Sequence, residues 1–250
     1  MCLIIFSWKN HAQYDLIVAS NRDEFLNRPT EPAHFWEDYP NTLAGRDLKS
    51  GGTWMGLTKG KRFAALTNFR DFDRINENAP SRGHLVSDFL NSDVEPENYI
   101  NTIKSSISEF NPFNILIGNE KELWYFNNIN FEIKKLIPGL YGLSNGLLNE
   151  PWPKVLKGKE SMKSMLEKAE FNNEEIFKFM QDKELALDKD LPKTGVPYGM
   201  EKGLSSLFIE LPSYGTRCST LIFSGKNETQ FIEKTYKLDN QTPGTVSHQF

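Results

Sequence analysis

The chain has 250 residues, of which 38% are hydrophobic and 25% charged, and its formal net charge is −4 at pH 7. This size predicts one large globular domain over residues 1–250, and the mild acidity excludes a basic nucleic-acid-binding protein. No apolar segment approaches the roughly 20 residues that cross a bilayer, and the apolar start lacks the basic residues of a signal peptide. Two cysteines and four scattered histidines predict no disulfide framework, no structural metal and no cofactor. We therefore expect a soluble, cytoplasmic protein.

The first 24 residues have the pattern of a β-hairpin. Two short apolar runs, 2–6 and 16–19, flank a polar break at 9–11, and such a pattern predicts two antiparallel strands. Both runs are apolar at successive positions, so we expect both faces of these strands to be covered. Pairing the strands back from the turn places Cys2 opposite residues 20–23, beside Arg22 and Asp23.

This position gives Cys2 a chemical interpretation if Met1 is removed. The new terminal α-amine would have a pKa of about 8 and would be a base for its own thiol. The alternative is that Cys2 is a small buried hydrophobic residue opening an edge strand. Its place opposite Arg22 and Asp23 favours the nucleophile. We also expect the charge of Arg22 to lower the pKa of the Cys2 thiol, and Cys218 to be less reactive.

The rest of the chain predicts strands and helices in alternating blocks. The Pro-rich segment 29–40 and the polar segment 188–203 are expected to be loops, and the tail after residue 238 to be loose. The predicted order is hairpin strands, two helices, three strands, one short strand and two more helices. The final strands are 216–223 and 229–237. This order has no βαβ repeat, and it predicts an α+β fold of antiparallel sheets covered by helices.

Several polar residues at predicted strand ends are candidates for a site. Asn68 and Asn145 have side-chain amides that can donate to an oxyanion, although turn formation is an alternative role for each. Arg217 near the start of a strand requires an anion or a frayed, solvated end. Arg46, in Gly-Arg-Asp, is either an anion-binding residue or a solvated loop residue.

The chain resembles a known family in several segments. Asn21-Arg22-Asp23-Glu24, after Met1-Cys2, resembles the signature of the NRDE family, also called the transport and Golgi organisation protein 2 family. Segments 44–47, 51–54, 66–70, 81–83 and 215–217 are similar to it as well, so the resemblance covers essentially the whole chain. It implies an N-terminal-nucleophile hydrolase fold, a four-layer αββα sandwich of two mainly antiparallel sheets covered by helices.

The same resemblance extends to the cholylglycine hydrolase group, which includes bile-salt and penicillin V amidases. By this likeness Cys2 is the nucleophile with its α-amine as base, Asp23 holds that amine, and the asparagines bind the oxyanion or orient the amine. That group carries an Arg three residues before the Asp, where this chain has Ser20, and Arg22 is expected to fill the role from another angle. The implied catalytic set is Cys2, Arg22, Asp23, Asn68, Asn145 and Arg217, and the substrate-binding set is Arg46, Trp54 and Arg70.

The sequence therefore predicts a cysteine hydrolase that cleaves a non-peptide carbon–nitrogen amide or a related acyl bond. Its partner would be a small amide, acyl or amphipathic molecule, with no nucleic acid and no transmembrane segment. The family's secretion and Golgi-organisation members imply an alternative, a non-catalytic carrier or trafficking factor for haem or an acyl lipid. A third possibility is a scaffold in membrane traffic. Alkylation of Cys2 separates them, since only the enzyme depends on that thiol.

Overall fold

The computed structural model describes residues 2–168, 172–236 and 242–250, which form two compact units. The first unit comprises Met1–Asn27 and Pro138–Phe250, and the second comprises Arg28–Ile137. The strands are β1 (Cys2–Trp8), β2 (Tyr14–Phe25), β3 (Thr30–Phe35), β4 (Thr42–Asp47), β5 (Met55–Thr58), β6 (Phe63–Asn68), β7 (Phe113–Gly118), β8 (Leu123–Asn127), β9 (Ile133–Lys135), β10 (Gly139–Leu143), β11 (Tyr214–Gly225), β12 (Thr229–Thr235) and β13 (Gly244–Gln249). The helices are α1 (Gly83–Leu90), α2 (Pro96–Ile103), α3 (Pro153–Leu166), α4 (Asn173–Met180) and α5 (Tyr198–Gly203).

The first unit is built on an antiparallel sheet with the order β10-β1-β2-β11-β12-β13. The predicted N-terminal hairpin is confirmed, with Cys2 opposite Arg22 and Trp8 opposite Leu16. Helices α3 and α4 cover one face of this sheet, where Leu3, Ile5 and Phe223 pack against Val155, Met162 and Phe177, among others. The other face is buried too, as the uninterrupted apolar runs of β1 and β2 predicted.

The second unit is a seven-stranded antiparallel meander that runs from β3 to β9 in chain order. Helices α1 and α2 pack against one of its faces. Their apolar residues recur every three or four positions, so they form one stripe on each helix. The stripe and the strand residues beneath it make a second core that includes Leu85, Phe89, Ile100, Ile103, Ile115, Ile117 and Phe126.

Three segments that the sequence predicted to be irregular contain regular structure. Segment 29–40 contains strand β3, which tolerates Pro32 because β3 is an edge strand with a register shift between Glu31 and His34. Segment 188–203 contains α5. Residues 244–249 form β13, paired along β12, so the expected loose tail is wrong there. Residues 239–241, which the same prediction covered, lie outside the described part of the chain, as does residue 237 at the end of the predicted strand 229–237.

The α+β class is confirmed, because each unit contributes one antiparallel sheet and a layer of helices on one of its faces. The expectation of a single domain over 1–250 stays a prediction. No helix in the described part of the chain is long and apolar enough to cross a membrane. Within the same residues, no group of three or more His, Cys, Asp or Glu side chains is arranged to hold a metal ion.

Candidate active site

Cys2 lies at the first position of β1, directly opposite Arg22 on β2. Its side chain is 8% exposed, and both Arg22 and Asp23 are buried. The backbone N–H of Asp23 lies near the Cys2 sulfur and acts to lower the pKa of the thiol. The hairpin therefore brings the thiol to an arginine and a peptide N–H, and both favour the thiolate over the thiol.

Asp23 is held by residues of β11 that are almost 200 positions away in the sequence. The Thr216 hydroxyl donates to Asp23 Oδ1 over 2.6 Å and accepts from the backbone N–H of Ile209 over 2.9 Å. The Tyr214 hydroxyl donates to the backbone carbonyl of Asp23 over 2.7 Å. Since the Ile209 N–H occupies the acceptor side of the Thr216 hydroxyl, the proton of that hydroxyl is directed at the carboxyl group of Asp23.

Burial dominates the electrostatics of both Cys2 and Asp23. Burial raises the pKa of the Cys2 thiol, the charge of Asp23 raises it further, and Arg22 and the Asp23 N–H act in the opposite direction. Burial likewise raises the pKa of Asp23, while Lys154, Thr216 and Arg22 lower it. Arg22 does act to lower the pKa of the Cys2 thiol, as predicted, but burial outweighs it and the net shift is upward. A thiolate withdrawn from water loses more solvation than one neighbouring guanidinium returns.

Asn145 is fully buried and comes two residues after the end of β10, the strand that pairs with β1. The Ser144 hydroxyl donates to the backbone carbonyl of Cys2 over 3.1 Å and lies 3.4 Å from Asn145 Oδ1. This contact ties the segment to the first residue of β1. The structure thus brings Asn145 to the same end of the sheet as Cys2, Arg22 and Asp23.

Arg217 is a bulge residue in β11. Thr216 lies opposite Asp23 and Cys218 opposite Arg22, so Arg217 is the extra residue between two registered pairs. Its Nη1 donates to the backbone carbonyls of Phe25 and Leu26, over 3.0 and 3.2 Å. These carbonyls lie at the end of β2, so the buried guanidinium helps to fix the strand that carries Asp23.

Cys218 lies in the same cross-strand row as Cys2, with Arg22 between the two cysteines. Its thiol donates to Glu233 Oε2, with sulfur and oxygen 3.4 Å apart. Burial raises the pKa of Cys218 well above its usual value, and the Glu233 carboxylate raises it further. The two cysteines therefore share one arginine but differ in their second charged neighbour.

The remaining predicted site residues belong to the second unit. Asn68 ends β6 and lies opposite Phe113. Arg46 makes a two-pronged ion pair with Asp38, with N···O distances of 2.8 and 2.7 Å, so an external anion would have to displace a carboxylate. The ring of Trp54 packs on Gly45, and Arg70 is buried. Their predicted roles stay predictions.

Sequence reasoning missed three residues of this region. Thr216 lies in segment 215–217, which resembles the family, but the sequence assigned it no role, although its hydroxyl holds Asp23. Asn21 anchors the signature strand through its Nδ2, which donates to the carbonyls of Met180 and Leu207, each over 2.8 Å. Lys154 is buried on α3 and acts electrostatically on Asp23. The sequence offered one indication of its role: Lys154 is in the first turn of a helix, where the helix dipole disfavours a cation.

The fold places the chain among known proteins. It is shared with the Caenorhabditis elegans N-acylethanolamine-hydrolyzing acid amidase (NAAA) ortholog, with a TM-score of 0.53 at 12% identity over 90% of this chain and 94% of that one. The class is therefore that of the N-terminal-nucleophile hydrolase fold. The Transport and Golgi organisation 2 family model matches residues 1–238, and the chain belongs to that family.

Curated relatives agree with this assignment. The chain is 33% identical to the Transport and Golgi organization protein 2 homolog of Bos taurus, over 100% of this chain and 99% of the relative. It is 32% identical to the Mus musculus homolog, over 97% and 95% of the two chains. The family resemblance read from the signature residues is therefore confirmed.

Proposed function

We propose that this protein is a cysteine hydrolase that cleaves a non-peptide carbon–nitrogen amide or a related acyl bond, with Cys2 as nucleophile after removal of Met1. One observation carries the proposal. Cys2 begins a strand beside Arg22 and an Asp23 N–H, while Thr216 fixes the carboxyl group of Asp23. The fold shared with the amidase ortholog supports it.

The proposed reaction has two steps, acylation of Cys2 and hydrolysis of the resulting thioester. The Cys2 sulfur forms a bond to the carbonyl carbon, the carbon–nitrogen bond breaks, and the α-amine carries the thiol proton to the leaving amine. Water then attacks the thioester, releases the carboxylic acid and returns the proton to sulfur. Asp23 holds the α-amine in place, and Asn145 with backbone N–H groups stabilises the oxyanion. The resemblance assigns Asn68 to the same anion.

The proposal is tested by turnover of a panel of amides and thioesters. Cys2→Ala should lower kcat by at least about a thousandfold on any substrate found, because it removes the attacking atom. Cys218→Ala is the matched control, since it removes the other buried thiol, and it should keep turnover. Equal activity of the Cys2→Ala variant and the parent would refute the proposed nucleophile.

A second test concerns the terminus, because a peptide bond to Met1 consumes the amine that acts as base. Protein from cells in which methionine peptidase is inhibited should retain Met1 and show no turnover. Intact-mass measurement gives the fraction of protein that has lost Met1, and turnover should be proportional to that fraction. Full turnover by uniformly unprocessed protein would contradict this mechanism.

One cavity favours the alternative function of a non-catalytic carrier or trafficking factor for haem or an acyl lipid. It lies in the first unit, has a volume of about 290 Å³, and is lined by both apolar and polar side chains. Leu26, Phe208 and Leu211 supply apolar surface, and Lys183 and Tyr236 supply polar groups. A carrier should bind hemin or a fluorescent fatty acid equally well after Cys2→Ala, and less well after Phe208→Asp.

The proposed partner is thus a small amide, acyl or amphipathic molecule rather than a nucleic acid. We place the reaction in the cytoplasm as part of the same proposal. Cys2 and Cys218 are both free thiols, and a reducing compartment keeps such thiols available for chemistry.

A further inference from the structure

Lys154 is an unusual lysine because it is 2% exposed. It occupies the second position of α3, directly after Pro153. A buried ammonium is costly unless an anion compensates it, and the positive end of a helix adds to that cost. The position of Lys154 is therefore unfavourable on two counts, and a specific negative partner has to offset both.

The packing of α3 locates this ammonium at the Cys2 end of the sheet. Trp152 precedes the helix and packs against Gly146, the residue after Asn145. Its Cζ2 atom lies 3.1 Å from the point that a Cβ on Gly146 would occupy. One turn after Lys154, Gly158 lies over Ile5, with Ile5 Cγ1 2.8 Å from the corresponding point. Helix α3 therefore starts at the site and runs away from it along β1.

Asp23 faces the same layer of helices. The side chain of Asn21 donates to the carbonyl of Met180, which ends α4, so Asn21 points to the helix-covered face. Side chains two residues apart on a strand share a face, and Asp23 therefore points there too. Its carboxyl group is buried, and among the groups that lower its pKa against the effect of burial, Lys154 is the strongest.

We propose that Lys154 is a positioning residue that holds the Asp23 carboxylate in its charged form, ready to bind the α-amine of Cys2. Its purpose rests on the proposed function, because the amine needs an ionised acceptor only if it is the base. The electrostatic effect of Lys154 on Asp23 does not depend on that function. Thr216 fixes one carboxylate oxygen by a hydrogen bond, and Lys154 supplies the charge that a hydroxyl lacks.

The test is a titration of the Asp23 carboxyl carbon by ¹³C NMR, with the signal assigned by its loss in Asp23→Asn. In Lys154→Met the apparent pKa of Asp23 should rise by at least about one unit, and in Lys154→Arg it should stay within about half a unit of the parent. Lys157→Met is the control, since Lys157 on the same helix pairs with Asp182 and Glu184. An unchanged Asp23 titration in Lys154→Met would overturn the proposal.

A second measurement covers the case in which Lys154→Met folds poorly. Each single change, Lys154→Met or Asp23→Asn, leaves one buried charge uncompensated, whereas the double variant removes both. The loss of Tm in the double variant should be smaller than the sum of the two single losses, and strict additivity would overturn the pairing.

These outcomes are distinguishable from a failure of the proposed function. If no substrate is turned over but the Asp23 titration shifts, the pairing stands and the hydrolase proposal falls. If Cys2-dependent turnover is found and the titration does not move, the hydrolase stands and the role of Lys154 falls.

Discussion

At the scale of single residues, two thiols in one row have different environments. Cys2 and Cys218 both flank Arg22, but Cys218 also donates to Glu233. A carboxylate that accepts the S–H hydrogen bond stabilises the thiol and repels the thiolate, so Glu233 suppresses the nucleophilicity of Cys218. The sheet thus contains two buried thiols with raised pKa values, of which Cys218 also donates its S–H to a carboxylate.

Glu233→Gln should lower the pKa of Cys218, because the substitution removes the charge that opposes the thiolate and keeps the shape of the side chain. We expect the midpoint of alkylation rate against pH to fall by about one unit or more, with a smaller change at Cys2. Mass spectrometry after alkylation at a series of pH values resolves the two sites. Glu210→Gln, at an exposed partner of Lys183, is the control, and an unmoved Cys218 profile would contradict the assignment.

Local sequence pattern predicted the residues of this site that are close in the chain, and Asn145 was added by its place at a predicted strand end and by the family resemblance. Cys2, Arg22 and Asp23 followed from one hairpin and its register. Thr216 and Lys154 lie far along the chain, and no local pattern connects either of them to Asp23. Arg217 was singled out as a site residue, which stays a prediction, but strand alternation could not predict that it is the extra residue of a bulge.

At the scale of elements, α3 packs on β1 through a glycine. Gly158 lies in the middle of the helix, where alanine is normally better by up to about 1 kcal/mol. A Cβ there would meet Cγ1 and Cδ1 of the fully buried Ile5 at 2.8 and 2.9 Å. Overpacking of this kind costs about 1–3 kcal/mol, so the clash outweighs the gain in helix propensity.

Gly158→Ala should therefore destabilise the protein by roughly 1–2 kcal/mol, measured as a lower urea midpoint of unfolding. Gly199→Ala in α5 is the matched control, because a Cβ at Gly199 would have no atom within 4 Å. That variant should match or exceed the stability of the parent. A midpoint for Gly158→Ala at or above the parent value would mean that α3 moves away from β1 without cost.

The element pattern explains which predictions succeeded. Apolar runs bounded by turn residues predicted the hairpin and most strands, and the stripes of α1 and α2 predicted helices. Strand β3 was missed because a proline such as Pro32 normally indicates that a segment is not a β-strand. It is tolerated here because β3 is at the edge of the sheet. Strand β13 was missed because its residues are largely polar and exposed, so it has the composition of a tail.

At the scale of the whole molecule, β13 is the strand that forms one edge of the sheet in the first unit. It lies beyond residues 1–238, which the family model matches. Backbone hydrogen bonds join Phe250 and Thr229 in both directions, over 2.8 and 3.1 Å. Without β13 the edge of β12 would be unpaired, and unpaired edges recruit other chains. Strand β13 is itself the last strand in the sheet order, but its side chains are mostly polar and exposed, which disfavours pairing with another chain.

Deletion of residues 242–250 should lower stability by roughly 2–5 kcal/mol, because several ladder hydrogen bonds of about 1 kcal/mol each are lost. Light scattering should also show concentration-dependent association. Adding Gln230→Lys to the truncated chain should reduce association without restoring stability, since a charge on an open edge opposes pairing. A truncated chain as stable and monomeric as the parent would show that β13 has no such role.

The fold class was predictable because the order of strands and helices has no βαβ repeat. Family membership was predictable because the signature residues are contiguous. The way in which distant segments combine was not predictable from any pattern. Residue Asp23 and its partner Thr216 are separated by most of the chain, and the second unit, Arg28–Ile137, lies between them in sequence.

Strand β1 is synthesised first but is enclosed late. Its neighbour β10 begins at Gly139, and β11, which flanks β2, begins at Tyr214. At elongation rates of about 5–20 residues per second, roughly ten to forty seconds separate the synthesis of β2 and β11. The folded protein buries both Cys2 and Leu3. The proposed removal of Met1 would therefore have to take place during that interval, while the start of the chain is still accessible to a methionine peptidase.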